Sequence, residues 1–205
     1  MKTLVLDTCH KHMIVGCFED DKCVSSFHEQ AWKKQSEHFF GALNSCMQEA
    51  GWKPSDIQQV VITDGPGSYT GERIAMTFAK VLCTRENVDL YTIHTYMIFA
   101  GKDNCEVILD ARSNRAYCGV CENGQLINES IKTIDEVLKD KENGINVIGD
   151  IELIGEERMD VDFVHNFMNV KEYWTKVENV HVLTPHYLKS KEELVQWYEK
   201  WYLMT

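Results

Sequence analysis

Thr63-Asp64-Gly65-Pro66-Gly67-Ser68-Tyr69-Thr70-Gly71-Glu72-Arg73-Ile74 is the stretch whose reading decides the fold of this chain. Ile57 to Thr63 precedes the turn, and its run Val60-Val61-Ile62 has the texture of a buried strand. Gly65 and Gly67 allow a backbone turn that a side chain would block, and Pro66 stiffens it. Ser68 or Thr70 can cap the first amides of a helix that the spacing predicts over about Thr70 to Thr84. A strand, a glycine-rich turn and a helix can bind an anion, because helix N-termini attract phosphate. Here no Lys follows a glycine as a P-loop requires, and no G-x-G-x-x-G is present. Glu72 in the first helical turn would repel an anion. A tight structural turn is therefore the favoured reading.

Outward from this stretch, toward the N-terminus, three strands are expected: Thr3 to Asp7, His12 to Glu19 and Lys22 to His28, a short antiparallel meander with a tight turn at Asp20-Asp21. Ser36 to Ala50 places Phe39, Leu43, Cys46, Met47 and Ala50 on one helical face, with Ser36 as N-cap and Gly51 as stop. Val88 to His94 closes the unit as a strand. The order strand, strand, strand, helix, strand, helix, strand suits a mixed sheet with right-handed crossovers. It is the element order of the RNase H-like lobe found in actin-like and sugar-kinase (ASKHA) folds. The second half restarts the pattern: Val107-Ile108-Leu109-Asp110 echoes Leu4-Val5-Leu6-Asp7. Arg115 to Glu122 and Gln125 to Ser130 read as a hairpin across Asn123-Gly124. A helix over Thr133 to Lys139, a strand over Ile145 to Ile148 and a last helix over Ser190 to Tyr202, with Ser190 and Glu193 as a capping box, complete the expectation. We divide the chain into an N-terminal RNase H-like lobe, 1–100, and a shortened second lobe, 101–205, whose last helix can pack back on the first.

The 205 residues carry 21 basic against 32 acidic side chains, a formal charge of −11. Phosphate backbones require a basic surface, so strong nucleic-acid binding by this chain alone is not expected. MKTLVLDT reaches Asp7 without the long apolar run of a secretion signal, and no stretch is long enough to span a membrane. The eight cysteines are scattered, with Cys17, Cys46 and Cys83 in apolar runs, and read as reduced thiols of a cytoplasmic protein.

The quoted stretch resembles the GPGS-F/Y-TG-x-RI signature of the TsaB (YeaZ) family, through Gly65, Pro66, Gly67, Ser68, Tyr69, Thr70, Gly71, Arg73 and Ile74. Leu6-Asp7-Thr8, Gln35-Ser36-Glu37-His38, Leu109-Asp110-Ala111-Arg112 with Ala116-Tyr117, Ile148-Gly149-Asp150 and Pro185-His186-Tyr187-Leu188-Lys189 resemble that family's other landmarks in the same order. The resemblance implies a non-catalytic scaffold or dimerisation subunit. Such a subunit binds TsaD, with TsaE, in the complex that transfers threonylcarbamoyl to the anticodon-adjacent adenosine of tRNA, and it pairs with itself when alone. It implies no cofactor on this chain, ATP and metal being expected on the partner subunits.

The helix after the turn is apolar around most of its circumference, at Ile74, Ala75, Met76, Phe78, Ala79, Val81, Leu82 and Cys83. A helix of that kind is buried on two sides. One side faces its own sheet. The other is covered either by a partner, through a stripe of Met76, Ala79 and Cys83, or by other parts of this chain. Phe40 and Asn44 lie off the main apolar face of the preceding helix. The resemblance favours the partner, and the residues assigned to it are Phe40, Asn44, Arg73, Met76, Thr77, Ala79, Lys80 and Cys83.

Chemistry has few footholds. The hairpin Asp7-Thr8-Cys9-His10-Lys11-His12 lacks the glycine that lets a backbone approach ATP phosphates, so Asp7 reads as a turn residue. His10, His12 and Cys9 have no second ligand pair at zinc-like spacing, and no metal is expected. Cys118 and Cys121 lie three apart on a strand, facing opposite sides. Asp110 and Arg112 can pair with each other or shape the cleft between lobes. Trp197, Tyr198, Trp201 and Tyr202 belong to an amphipathic final helix. The rival reading is an ATP phosphotransferase or a peptidase of the actin-like superfamily.

Overall fold

A computed structural model describes residues 1–31, 34–157 and 160–188. The first half forms β1 (Lys2–Asp7), β2 (His12–Glu19), β3 (Lys22–Gln30), α1 (Gln35–Glu49), β4 (Gln59–Thr63), α2 (Tyr69–Glu86), β5 (Asp89–Ile93) and α3 (Thr95–Ala100). The second half forms β6 (Cys105–Asp110), β7 (Arg115–Glu122), β8 (Gln125–Thr133), α4 (Ile134–Glu142), β9 (Val147–Gly149), α5 (Phe163–Asn169) and the short β10 (Thr175–Lys176).

Two mixed sheets result, with strand orders β10-β5-β4-β1-β2-β3 and β8-β7-β6-β9. In the first, β1 pairs antiparallel with β2 and parallel with β4, and β4 pairs parallel with β5. The second repeats the motif, β6 pairing antiparallel with β7 and parallel with β9. This is the mixed α/β architecture of the actin-like fold, and the echo between the first and second aspartate-ending strands marks the equivalent strand of each sheet.

The period-two alternation of β1 explains the layering. Leu4 and Leu6 point into a core closed by α1 and α2, with Phe39, Leu43, Met76, Ala79 and Leu82. Val5 points the other way, with Ile14, Phe18 and Val61, into a second core shared with α3, α5 and the inner face of β6 and β7. The two sheets are therefore joined through one apolar layer. A third, smaller core lies under α4, around Ile108, Cys118, Val137 and Val147.

Several boundaries differ from the sequence reading. Ser36 lies inside α1. The residue before the helix is Lys34, and no side chain caps that end. α2 begins one residue earlier than expected, with Ser68 as N-cap accepting from the Gly71 amide at 3.4 Å, and ends at Asn87 in the left-handed conformation. α3 has no counterpart in the sequence reading. Its six residues, Thr95 to Ala100, are all buried, so no polar face betrays a helical period. Asn123 and Gly124 both take positive φ, as the hairpin reading requires. Cys118 and Cys121 are buried in different cores, one on each side of the sheet, as expected. After α5 the chain crosses back, and β10 pairs with β5 at the edge of the first sheet. The expected helix over Ser190 to Tyr202, with its capping box and aromatic cluster, lies outside the described residues.

Candidate functional site

The glycine-rich turn is pressed against the β1–β2 hairpin, backbone to backbone. The Ser68 amide donates to the Cys9 carbonyl at 2.5 Å. The Thr8 hydroxyl donates to the Gly71 carbonyl at 2.6 Å and accepts from the Ala75 amide at 3.1 Å. A Cβ on Gly67 would stand 2.0 Å from the Cys9 carbonyl oxygen, and one on Gly71 would stand 2.1 Å from that of Thr8. Those contacts leave no room for any side chain, nor for a phosphate, between the turn and the hairpin. The turn is a weld between two backbone segments, and its glycines are the condition for it.

The hairpin is equally occupied. Asp7 is fully buried, with His10 Nε2 at 3.0 Å, the Cys9 amide at 2.8 Å and the Thr63 hydroxyl donating to it. Burial pushes the Asp7 carboxyl up, but His10, Thr63 and the Cys9 amide outweigh it and hold the group below its usual range. Burial, with Asp7 and Glu72 nearby, drives the Cys9 thiol well up. Lys11 reaches across to the second sheet and pairs with Asp150 and Glu152, both at 2.9 Å. Asp110 receives the Arg112 amide and guanidinium at 2.8 Å each, so these two pair with each other. Among the described residues, no three His, Cys, Asp or Glu side chains are arranged to hold a metal.

Glu72 is buried at the start of α2, and burial raises its carboxyl to about 9. It therefore holds a proton at neutral pH, and it fills the turn where the sequence reading expected it to repel an anion. It lines a small recess with Pro66, Tyr69, Tyr117, His186 and Tyr187. Beside the recess, His94 Nδ1 lies 3.2 Å from Asp64, whose hydrogen bond raises the imidazole, and His186 Nε2 lies 2.7 Å from Glu129.

The residues assigned to a partner divide into three groups. Met76, Ala79 and Cys83 are 3%, 0% and 3% exposed and pack into the chain's own first core. The small-residue stripe faces the sheet, because α2 lies flat on β4 and β5 and needs short side chains there. Arg73 and Lys80 are engaged by the chain's own C-terminal segment. The Arg73 Nε donates to the Tyr187 hydroxyl at 2.9 Å and the guanidinium lies over the Tyr69 ring at 4.2 Å, while Tyr69 and Tyr187 stack. Lys80 donates to the carbonyls of His181 and Leu183 at 3.2 and 2.8 Å. Phe40, Asn44 and Thr77 remain on the surface.

The outer surface of α1 and α2 is mostly polar, and two large apolar side chains, Phe40 and Val81, stand exposed on it. Phe40 is 62% exposed and meets Phe78 at 6.1 Å between ring centroids, and Phe39 supports both rings from beneath. Val81, one turn beyond Phe78, is 63% exposed. Phe78 and Val81 were counted in the sequence reading among the apolar positions of α2, but not assigned to the partner. The half-burial of Phe78 and the exposure of Val81 were hidden by a helix apolar nearly all round, in which pattern alone cannot orient the faces.

A protein of two mixed sheets built around this welded turn falls in a defined class: the chain belongs to the family described as TsaD, tRNA N6-adenosine threonylcarbamoyltransferase, whose model matches residues 27–190. Within that class the resemblance is to TsaB. The tRNA threonylcarbamoyladenosine biosynthesis protein TsaB of Bacillus subtilis is 24% identical over 97% of this chain and 99% of its own length. Two solved Pseudomonas aeruginosa structures share the fold. One, described as similar to peptidase YeaZ, superposes with a TM-score of 0.75 at 17% identity, covering 92% of this chain and 99% of that one. The other, YeaZ itself, has a TM-score of 0.69 at 16% identity over 91% and 99%.

Proposed function

We propose that this chain is a non-catalytic scaffold subunit in tRNA threonylcarbamoyladenosine synthesis. It binds a TsaD-type catalytic subunit, in concert with a TsaE-type subunit, and pairs with itself when alone. The observation that carries the proposal is the pair of large apolar side chains left exposed on adjoining helices, Phe40 of α1, against which the half-buried Phe78 packs, and Val81 of α2, with Asn44 and Thr77 exposed on the same helices. Large side chains left in water on adjoining helices mark an interaction surface. Family membership and the likeness to TsaB support the process. The charge of −11 supports leaving RNA contact to other subunits.

The accessory role is supported by how the motif residues are spent. The turn that could cradle phosphate is closed by carbonyls at Cβ distances near 2 Å, and Asp7, Lys11 and Asp110 each have partners within the chain. The rival readings are an ATP phosphotransferase and a peptidase. For the latter, the nearest thiol to the weld is Cys9, whose raised pKa denies it a thiolate at neutral pH. Titration of the pure chain with ATP separates the readings. The scaffold predicts no turnover by the chain alone and stimulation of a TsaD-type partner on addition. Hydrolysis by the chain alone, lost on Asp7→Ala, would establish the enzyme instead.

A further inference from the structure

We propose that Cys17 and Cys46 form a redox-active dithiol that a hydroperoxide converts to an intrachain disulfide, tying α1 to β2. Cys17 projects from β2 into the first core, and Cys46 projects from the last turns of α1 to meet it. Their sulfurs are 3.7 Å apart. A disulfide needs about 2.05 Å, so the side chains must close a gap of under about 2 Å between elements already packed together.

Polar groups gather at this pair although it lies in an apolar core. The Ser25 hydroxyl is 3.2 Å from Cys46 Sγ and 2.9 Å from Glu49 Oε2. The hydrogen bond with Cys17, and a smaller one with Ser25, lower the Cys46 thiol against the opposing effect of burial, while the same contact and burial push Cys17 up. The other core thiols behave differently. Burial pushes Cys83, Cys105, Cys118 and Cys121 up to about 12. Cys105 and Cys121 are direct partners across β6 and β7, so proximity of two cysteines recurs in the chain, but the first pair alone among the described residues combines a sulfur–sulfur contact with a hydroxyl and a carboxylate beside it. Cys17 and Cys46 are 0% and 2% exposed, so the peroxide enters as the end of α1, where Ser45, Gln48 and Glu49 face solvent and Gly51 follows at positive φ, opens locally.

The reaction balances with a hydroperoxide as oxidant. The Cys46 thiolate attacks the peroxide, a sulfur–oxygen bond forms, the oxygen–oxygen bond breaks, and the leaving oxygen departs as water or alcohol after taking a proton. The Cys17 sulfur then attacks the sulfenic sulfur, the sulfur–sulfur bond forms, and water leaves with the Cys17 proton. The two thiols lose two electrons, and the peroxide gains them.

The test is peptide mapping by mass spectrometry. The full chain is reduced, exposed to hydrogen peroxide, quenched with catalase, alkylated and digested without reductant. The expected product is one dominant disulfide joining the Cys17 and Cys46 peptides, restored to thiols by dithiothreitol, lost in Cys46→Ser and kept in Cys105→Ser. In hydrogen exchange, the amides of α1 should slow by about tenfold or more on oxidation, because the crosslink restricts opening of that helix. Oxidation spread over the eight cysteines without a 17–46 disulfide would overturn the proposal. Unchanged exchange in α1 after the disulfide forms would overturn the tying of the helix. The map of the wild-type chain decides the first point even if Cys46→Ser fails to fold.

Discussion

The N-terminus of α2 and its outer surface serve opposite ends. At the N-terminus, Gly67 and Gly71 are pressed onto the carbonyls of Cys9 and Thr8, and the Thr8 hydroxyl bonds the Gly71 carbonyl and the Ala75 amide inside the chain. Along the outer surface, Phe40 of α1 and Val81 of α2 are left to solvent, with Phe78 half-buried against Phe40. The glycine-rich motif thus builds the platform, and apolar positions outside it form the face that the proposed function uses. A motif that looks like a ligand cradle is here a structural joint, and the functional candidate lies where no motif is.

The contrast is broken most sharply by adding a methyl group to the joint. Gly67→Ala would place a Cβ 2.0 Å from a backbone oxygen, which only a shift of the hairpin or of α2 relieves. A loss of about 3 kcal/mol or more is expected in a denaturant melt. Met76→Glu should do comparable harm, because it puts a carboxylate among core residues of the chain itself. The matched outer-face changes, Phe40→Glu and Val81→Glu, should leave stability within about 0.5 kcal/mol and weaken complex formation by about tenfold or more. A stable, folded Met76→Glu would show that the inner and outer faces of α2 have been assigned the wrong way round.

Glu72 gives a pH-dependent version of the same comparison. Its folded pKa of about 9 lies above the ordinary 4.5. Below pH 4.5 both states hold the proton and its contribution is full. As pH rises further the unfolded chain releases the proton while the native chain keeps it, so stability falls until the folded group titrates near 9. Glu72→Gln, which keeps the neutral shape, should stabilise the chain at pH 7 by on the order of 1–3 kcal/mol, the difference shrinking toward pH 4. Thermal melts at pH 4.5, 7 and 8.5 check both the sign and the trend. The smallest effect is expected at the C-terminal segment. Arg73→Ala removes the contacts with Tyr69 and Tyr187, changing stability by less than about 1 kcal/mol, but limited proteolysis between 177 and 188 should speed up.

The sequence made the sheet legible because its strands alternate cleanly or run apolar between turn residues. Val60-Val61-Ile62, the Asn123-Gly124 hairpin and the run ending at Asp110 all fall where the pattern put them. It left α3 unread because a short segment buried on all sides has no period. It misplaced the partner stripe for a related reason: with eight apolar residues on α2, pattern alone does not say which side the sheet takes. Small residues at Ala75 and Ala79 allow close approach to the sheet, and that packing preference was the available signal. The roles of Arg73 and Lys80 depended on a C-terminal return over more than a hundred residues, for which local sequence carries no sign.

The central claim, that the outer face of α1 and α2 recruits a TsaD-type subunit, is tested most directly by size-exclusion chromatography with light scattering. The chain is run alone, then mixed with the TsaD-type protein from the same source in the presence of the TsaE-type subunit and nucleotide, and the series is repeated with Phe40→Glu. The account predicts a stoichiometric complex for the unaltered chain and its loss for the folded variant. An identical complex with Phe40→Glu and Val81→Glu combined, or no complex with either form, would contradict it.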